Sequence, residues 1–262
     1  MQDINKARVF WKILSVFSLI NIGAWGWVFW QQSHMHIDVY YQAFLSAIYV
    51  LVCAFRTFYP RIDLERYCLH DSPLSSIALG RSCATLAEIC FSLQWAMMLH
   101  GLGVFMQSTW VIMVAYLIVP AIVIAQIFCW YATLTLKHFW HGMEESVWVL
   151  TIALTIPCLF VGYLELSGAY KVGMLVGILA CIGGLYIMLW MDIPMYLARA
   201  KQGKIHGINY LSVSLGIQDA IQRRVATSDW SVWKKEIVWM SSYFTLGVWL
   251  SIAMMLIDFS GH

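Results

Sequence analysis

The sequence predicts an all-α, polytopic integral membrane protein with seven transmembrane helices, and three observations carry that prediction. Of the 262 residues, 61% are hydrophobic and only 11% charged, and the mean hydropathy is +0.72. Soluble domains run at about 45–50% apolar and about 25% charged, so a soluble enzyme is excluded, and disorder and a disulfide-stapled miniprotein with it. The apolar residues fall in continuous runs of about twenty, the length that crosses a core of roughly 30 Å, without the alternating ten-residue segments of a β-barrel. Basic residues then collect in every second connection, as the positive-inside rule requires.

Span one, 10–30, follows Lys6, Arg8 and Lys12 and ends on Trp25, Trp27 and Trp30, a composition suited to the headgroup level. It is too long for a signal peptide and lacks a small-residue cleavage site after it. Span two, 39–59, closes on Arg56, with Arg61 and Arg66 beyond. Span three, 75–99, opens after Asp71 or Ser72 as a cap and Pro73 in the first turn. Spans four (110–136), five (147–166) and six (172–197) carry Pro120, Pro157 and Pro194, which a membrane helix tolerates when a neighbour satisfies the freed carbonyl.

The longest connection, 198–235, holds an amphipathic stretch at 208–225 inside a cytoplasmic segment of about 205–230. Span seven, 236–257, completes a single seven-helix domain over 1–262. Fourteen of the sixteen Lys and Arg lie on the side of the N-terminus. The N-terminus is therefore expected in the cytoplasm and the C-terminus outside, in a multi-pass protein of the bacterial inner (cytoplasmic) membrane. A net charge of +2 is too small for nucleic acid, whereas the inner basic residues suit anionic lipids. Membrane lipids, an amphiphilic small molecule and further copies of the chain are the expected partners.

Ionisable residues inside spans are expensive and mark function. In span three Arg81, Thr85, Glu88, Ser92 and Trp95 share one stripe that cannot face lipid. Arg81 and Glu88 are about 10 Å apart along the axis, so each is expected to find a partner elsewhere. If the segment before span five is helical, His138, His141 and Glu145 share a face, with Glu144 about 100° away. Asp192 and Tyr196 share a face at the end of span six, and Arg199 and Glu236 lie near the same membrane surface. With Arg56 these groups suggest a polar pocket opening to the cytoplasmic leaflet. Imidazole and carboxylate donors at His138, His141, Glu144 and Glu145 suit zinc or non-haem iron. His34, His36 and Asp38 form an outer cluster of the kind that captures copper. The seven cysteines, with no CxxC, read as small apolar packing.

Three functions fit. The first is an enzyme acting at the cytoplasmic interface on a lipid, isoprenoid or quinone-like amphiphile. Glu88, His141 and Asp192 are its catalytic candidates, and Arg56, Arg81, Tyr196 and Arg199 would hold the substrate. The second is a transporter or proton/ion pathway centred on Glu88, with Gln94 and Gln126 as the few polar groups of the outer half. The third is an accessory or assembly subunit. The pair Glu144-Glu145 is similar to that of intramembrane CAAX-protease-like proteins, but position 149 is Val where their motif carries Arg, and no family is recognised.

Overall fold

A computed structural model describes residues 2–32, 37–205, 210–257 and 259, and the side chains of all of these except 2–5, 37 and 38. His34, His36 and the Asp38 side chain lie outside the described residues. Among the described residues, seven segments are long and apolar enough to cross a membrane: Lys6–Gln31, Val39–Phe58, Ile77–Phe105, Thr109–Thr135, Phe139–Glu165, Gly168–Ile205 and Ile237–Met254. The chain is thus a helical, multi-pass membrane protein. Its exposed surface agrees, with Trp30 76% and Tyr116 67% accessible, which suits apolar solvent and not water.

The helices are α1 (Gln2–Gln31), α2 (Ile37–Phe58), α3 (Ile77–Phe105), α4 (Thr109–Thr135), α5 (Phe139–Glu165), α6 (Gly168–Ile187), α7 (Ile193–Ile205), α8 (Val213–Gln222), α9 (Trp230–Trp233), α10 (Ile237–Ser241) and α11 (Val248–Met254). They form two compact units, Met1–Gln94 with Gln218–Leu256, and Trp95–Ile217 with Ile257–His262.

In the first unit α1, α2 and α11 pack around Trp11, Tyr49, Val50, Phe244 and Val248. Trp233 is fully buried edge-on to Trp11, with centroids 5.3 Å apart, so it is a core residue and not a headgroup anchor. Gln94 ties three helices together. Its Nε2 donates to the carbonyls of Gln42 (3.0 Å) and Ser251 (3.2 Å), and Ser251 Oγ donates to its Oε1 at 2.6 Å.

A three-stranded sheet, absent from the sequence reading, closes one end of this unit. β1 (Arg61–Ile62) pairs antiparallel with β2 (Tyr67–Cys68), and β2 pairs parallel with β3 (Val225–Ala226). Arg66, in the left-handed region at φ 60°, makes the hairpin turn and donates to Asp219 at 2.8 Å. The start of span three differs from expectation. Ser72 caps a short 3-10 turn, Pro73–Ser75, and α3 begins only at Ile77, with Ser76 Oγ accepting from the Leu79 N–H at 3.4 Å. Asp71 pairs with Arg224 at 3.2 Å.

In the second unit α5 packs against α4, α6 and α7. Along α4 the buried residues Val111, Val114, Ile118, Ile122, Ala125, Cys129 and Ala132 recur at intervals of three and four, the stripe of a helix facing its neighbours. Gly162 lets α5 approach closely, since a Cβ there would lie 3.1 Å from Leu102. α5 begins eight residues before the expected span, so the segment after His138 is helical. A π-helical turn, Met188–Asp192, precedes Pro194. Proline has no N–H to donate and crowds the preceding turn, and the wider turn lets Ile193 N–H reach Met188 O instead. At α8 the buried positions are Gly216 and Ala220, while Val213, Ile217 and Ile221 form an exposed apolar stripe, as expected of a helix lying on a membrane surface.

Candidate functional site

Among the described residues, most of the polar residues singled out in the sequence fall into two clusters, one in each unit.

The cluster of the second unit is built on α4, α5 and the α6–α7 junction. Cys129, His141 and Glu144, all buried, present a thiol, a ring nitrogen and a carboxylate oxygen within 4.8 Å of one another. His141 and Glu144 are one turn apart on α5, and His141 Nδ1 lies 2.8 Å from Glu144 Oε2. The opposite nitrogen, Nε2, is buried without a hydrogen-bond partner, an expensive state for a polar atom.

Tyr196 stacks on the His141 ring at 5.0 Å between centroids. Its phenol lies within electrostatic range of Glu144, Glu145, Asp192 and Cys129. Asp192, on the π-helical turn, faces Glu144. His138 neighbours His141 and Arg199. Burial, and then these two charges, push its pKa down to about 4, so the ring is neutral near pH 7. Three carboxylates here stand against one guanidinium, an excess that suits a cation. His141 and Glu144 come together, whereas the expected face was that of His138, His141 and Glu145, with Glu144 about 100° away. His138 and Glu145 neighbour the group without joining it among the described residues, and Cys129 joins it unforeseen. Cys129 sits in the regular apolar stripe of α4, so spacing alone marked it as packing. For the metal-ligating group the sequence signals only the His138–Glu145 segment; Asp192, Tyr196 and Arg199 stand out there as catalytic and substrate-binding candidates.

The cluster of the first unit contains Arg56, Arg81, Glu88 and Tyr243. Arg81 Nη2 donates to Glu88 Oε1 at 2.7 Å, with 8% and 10% of the two side chains accessible. This corrects the expectation that the two are too far apart to pair. Side chains lean toward the helix N-terminus, which tips Glu88 toward Arg81, and the long guanidinium stem spans the remainder. The Tyr243 hydroxyl donates to the same oxygen at 3.3 Å, from a second π-helical turn, Ser242–Gly247. Such turns recur at functional sites. Arg56 lies over the rings of Trp239, Tyr243 and Phe244 at 5.5, 5.3 and 5.5 Å. Glu236 directly precedes α10 in this unit.

Comparison with family models, curated proteins and solved structures gives no match. The functional reading therefore stands on the chemistry of these side chains.

Proposed function

We propose that this chain is a metal-dependent integral membrane enzyme acting at the cytoplasmic interface on an amphiphile of the lipid, isoprenoid or quinone type. The observation that carries the reading is that Cys129, His141 and Glu144 are all buried and bring one donor atom each within 4.8 Å of one another. Three protein donors leave coordination positions open, which is how catalytic zinc sites differ from structural ones. In tetrahedral zinc sites the ligand atoms sit about 3.5 Å apart, so the 4.8 Å spread needs only a small contraction. A thiolate in the set favours zinc over non-haem iron.

A metal held there by Cys129, His141 and Glu144 would supply Lewis acidity. The chain's own groups do the rest. Tyr196 covers the face of the His141 ring, Asp192 would accept a proton, and Arg199 would hold an anionic head. The apolar helix faces keep the tail of the substrate in the bilayer. Gln94 supports this reading over a transport path, because both ends of its amide are taken up in helix-to-helix bonds. The N-terminus in the cytoplasm and the C-terminus outside complete the proposal.

The test is metal content by mass spectrometry, on protein purified without chelator from cells grown with zinc and iron. Wild type is expected to carry about one zinc per chain, lost in Cys129→Ser, His141→Ala and Glu144→Gln. Metal-free wild type, or metal retained in His141→Ala, overturns the reading.

A further inference from the structure

We propose that the start of α3, together with Arg56 and Arg61, is a binding site for a phosphate-type oxyanion. The inference is independent of the metal centre.

Four arginines of the first unit are buried: Arg56, Arg61, Arg66 and Arg81. A buried guanidinium requires partners for its N–H groups as well as for its charge. Arg66 and Arg81 are paired directly, with Asp219 and Glu88, although Arg81 Nε makes no hydrogen bond. Arg56 and Arg61 leave buried N–H groups without an acceptor. Arg56 Nη1 is buried with no acceptor, because aromatic faces stabilise a cation without filling its N–H bonds. Arg61, 3% accessible, has both Nε and Nη2 buried without a hydrogen bond. Its Asp63 carboxylate is 3.6 Å away, beyond bonding distance, and its Nη1 reaches Leu74 O at 3.5 Å. Ser75 Oγ, one residue on, is fully buried and unpartnered as well.

Gly80 shows why the guanidinium can sit here. A Cβ at that position would fall 1.4 Å from Arg61 Cζ. Arg61 therefore lies directly on the first turns of a 29-residue helix, where backbone N–H groups and the helix dipole favour negative charge. Burial pushes the Arg61 pKa down to about 10, with Arg56 and Arg81 acting in the same direction against Asp63, which places the three guanidinium groups within range of one another. Against them stand the carboxylates of Glu88 and Asp63, leaving one positive charge in excess. A carboxylate ligand would occupy two donors. A phosphate offers more oxygens and more charge to the open Arg61 Nε and Nη2, Arg56 Nη1 and the Ser75 hydroxyl. The site joins the end of α2 to the start of α3, so the phosphate can belong to a lipid headgroup or be free in solution.

The test is equilibrium binding to the detergent-purified full chain, with radiolabelled inorganic phosphate in one arm. The other arm uses phosphatidylcholine vesicles with and without phosphatidic acid. The variants are Arg61→Gln and Gly80→Ala, the second of which keeps every charge but occupies the place of the Arg61 guanidinium. Saturable phosphate binding identifies a free anion, and binding only to phosphatidic acid vesicles identifies a headgroup. Either is expected to weaken at least tenfold in both variants. No binding above the phosphatidylcholine control, or equal binding in wild type and Gly80→Ala, overturns the proposal.

Discussion

Neutralising Glu88 by Glu88→Gln removes one partner of a buried ion pair while keeping an acceptor for the Tyr243 hydroxyl. At a separation of 2.7 Å and an effective dielectric of about 20, the direct attraction is about 6 kcal/mol. Much of that offsets the cost of taking both charges out of water. Truncating one partner of such a pair leaves the other stranded, at about 3–5 kcal/mol. The same cost applies to Arg81→Met. The double variant, Arg81→Met with Glu88→Gln, strands no charge and should recover more than half of the summed loss. Equilibrium unfolding in mixed dodecyl sulfate micelles, followed by tryptophan fluorescence, reads these differences as a double-mutant cycle. Single variants within about 0.5 kcal/mol of wild type, the range of surface substitutions, or a double variant equal to the sum of the two singles, would refute the contact.

Two other expectations follow from local geometry. A Cβ at Gly216 would lie 2.1 Å from the carbonyl oxygen of Leu134. Backbone cannot yield as a side-chain tip does, so Gly216→Ala should push α8 off the end of α4 and cost about 1–3 kcal/mol; a melting temperature equal to wild type would contradict the packing. Asp229 caps α9 by accepting from the Ser231 N–H at 2.9 Å, and that bond holds its carboxyl below its ordinary value of about 3.8. Its native pKa is depressed, so the stabilisation is present above about pH 3.8 and fades as pH falls through the lower native value. The melting temperatures of Asp229→Ala and wild type should differ at neutral pH and converge in acid; a constant gap would place the cap's contribution elsewhere.

Much of the fold was legible because the bilayer imposes it. Twenty-residue apolar runs and alternating basic connections leave few alternatives to seven helices. The sheet of β1, β2 and β3 was not legible, since two-residue strands have no periodicity and their pairing joins Tyr67 to Val225 across most of the chain. The stripe from Arg81 to Glu88 is buried, as its composition implies, but the ion pair within it is hidden from axial spacing because it is the side-chain tips, and not the backbones, that meet. His141 and Glu144 stood out as ionisable groups next to a span. Cys129 did not, because a cysteine in an apolar stripe is silent until the fold brings an imidazole and a carboxylate to it. The π-helical turns carrying Asp192 and Tyr243 were equally hidden, although Pro194 announces the disturbance at the first of them.

The central claim is that Cys129 joins His141 and Glu144 in holding a metal, and cobalt substitution tests it most directly. A cobalt-loaded chain with a thiolate ligand shows a near-ultraviolet sulfur-to-metal charge-transfer band. The band is expected in wild type and in Cys158→Ser, which alters another fully buried cysteine, and it is expected to vanish in Cys129→Ser. No band in wild type, or the same band in Cys129→Ser, contradicts the account.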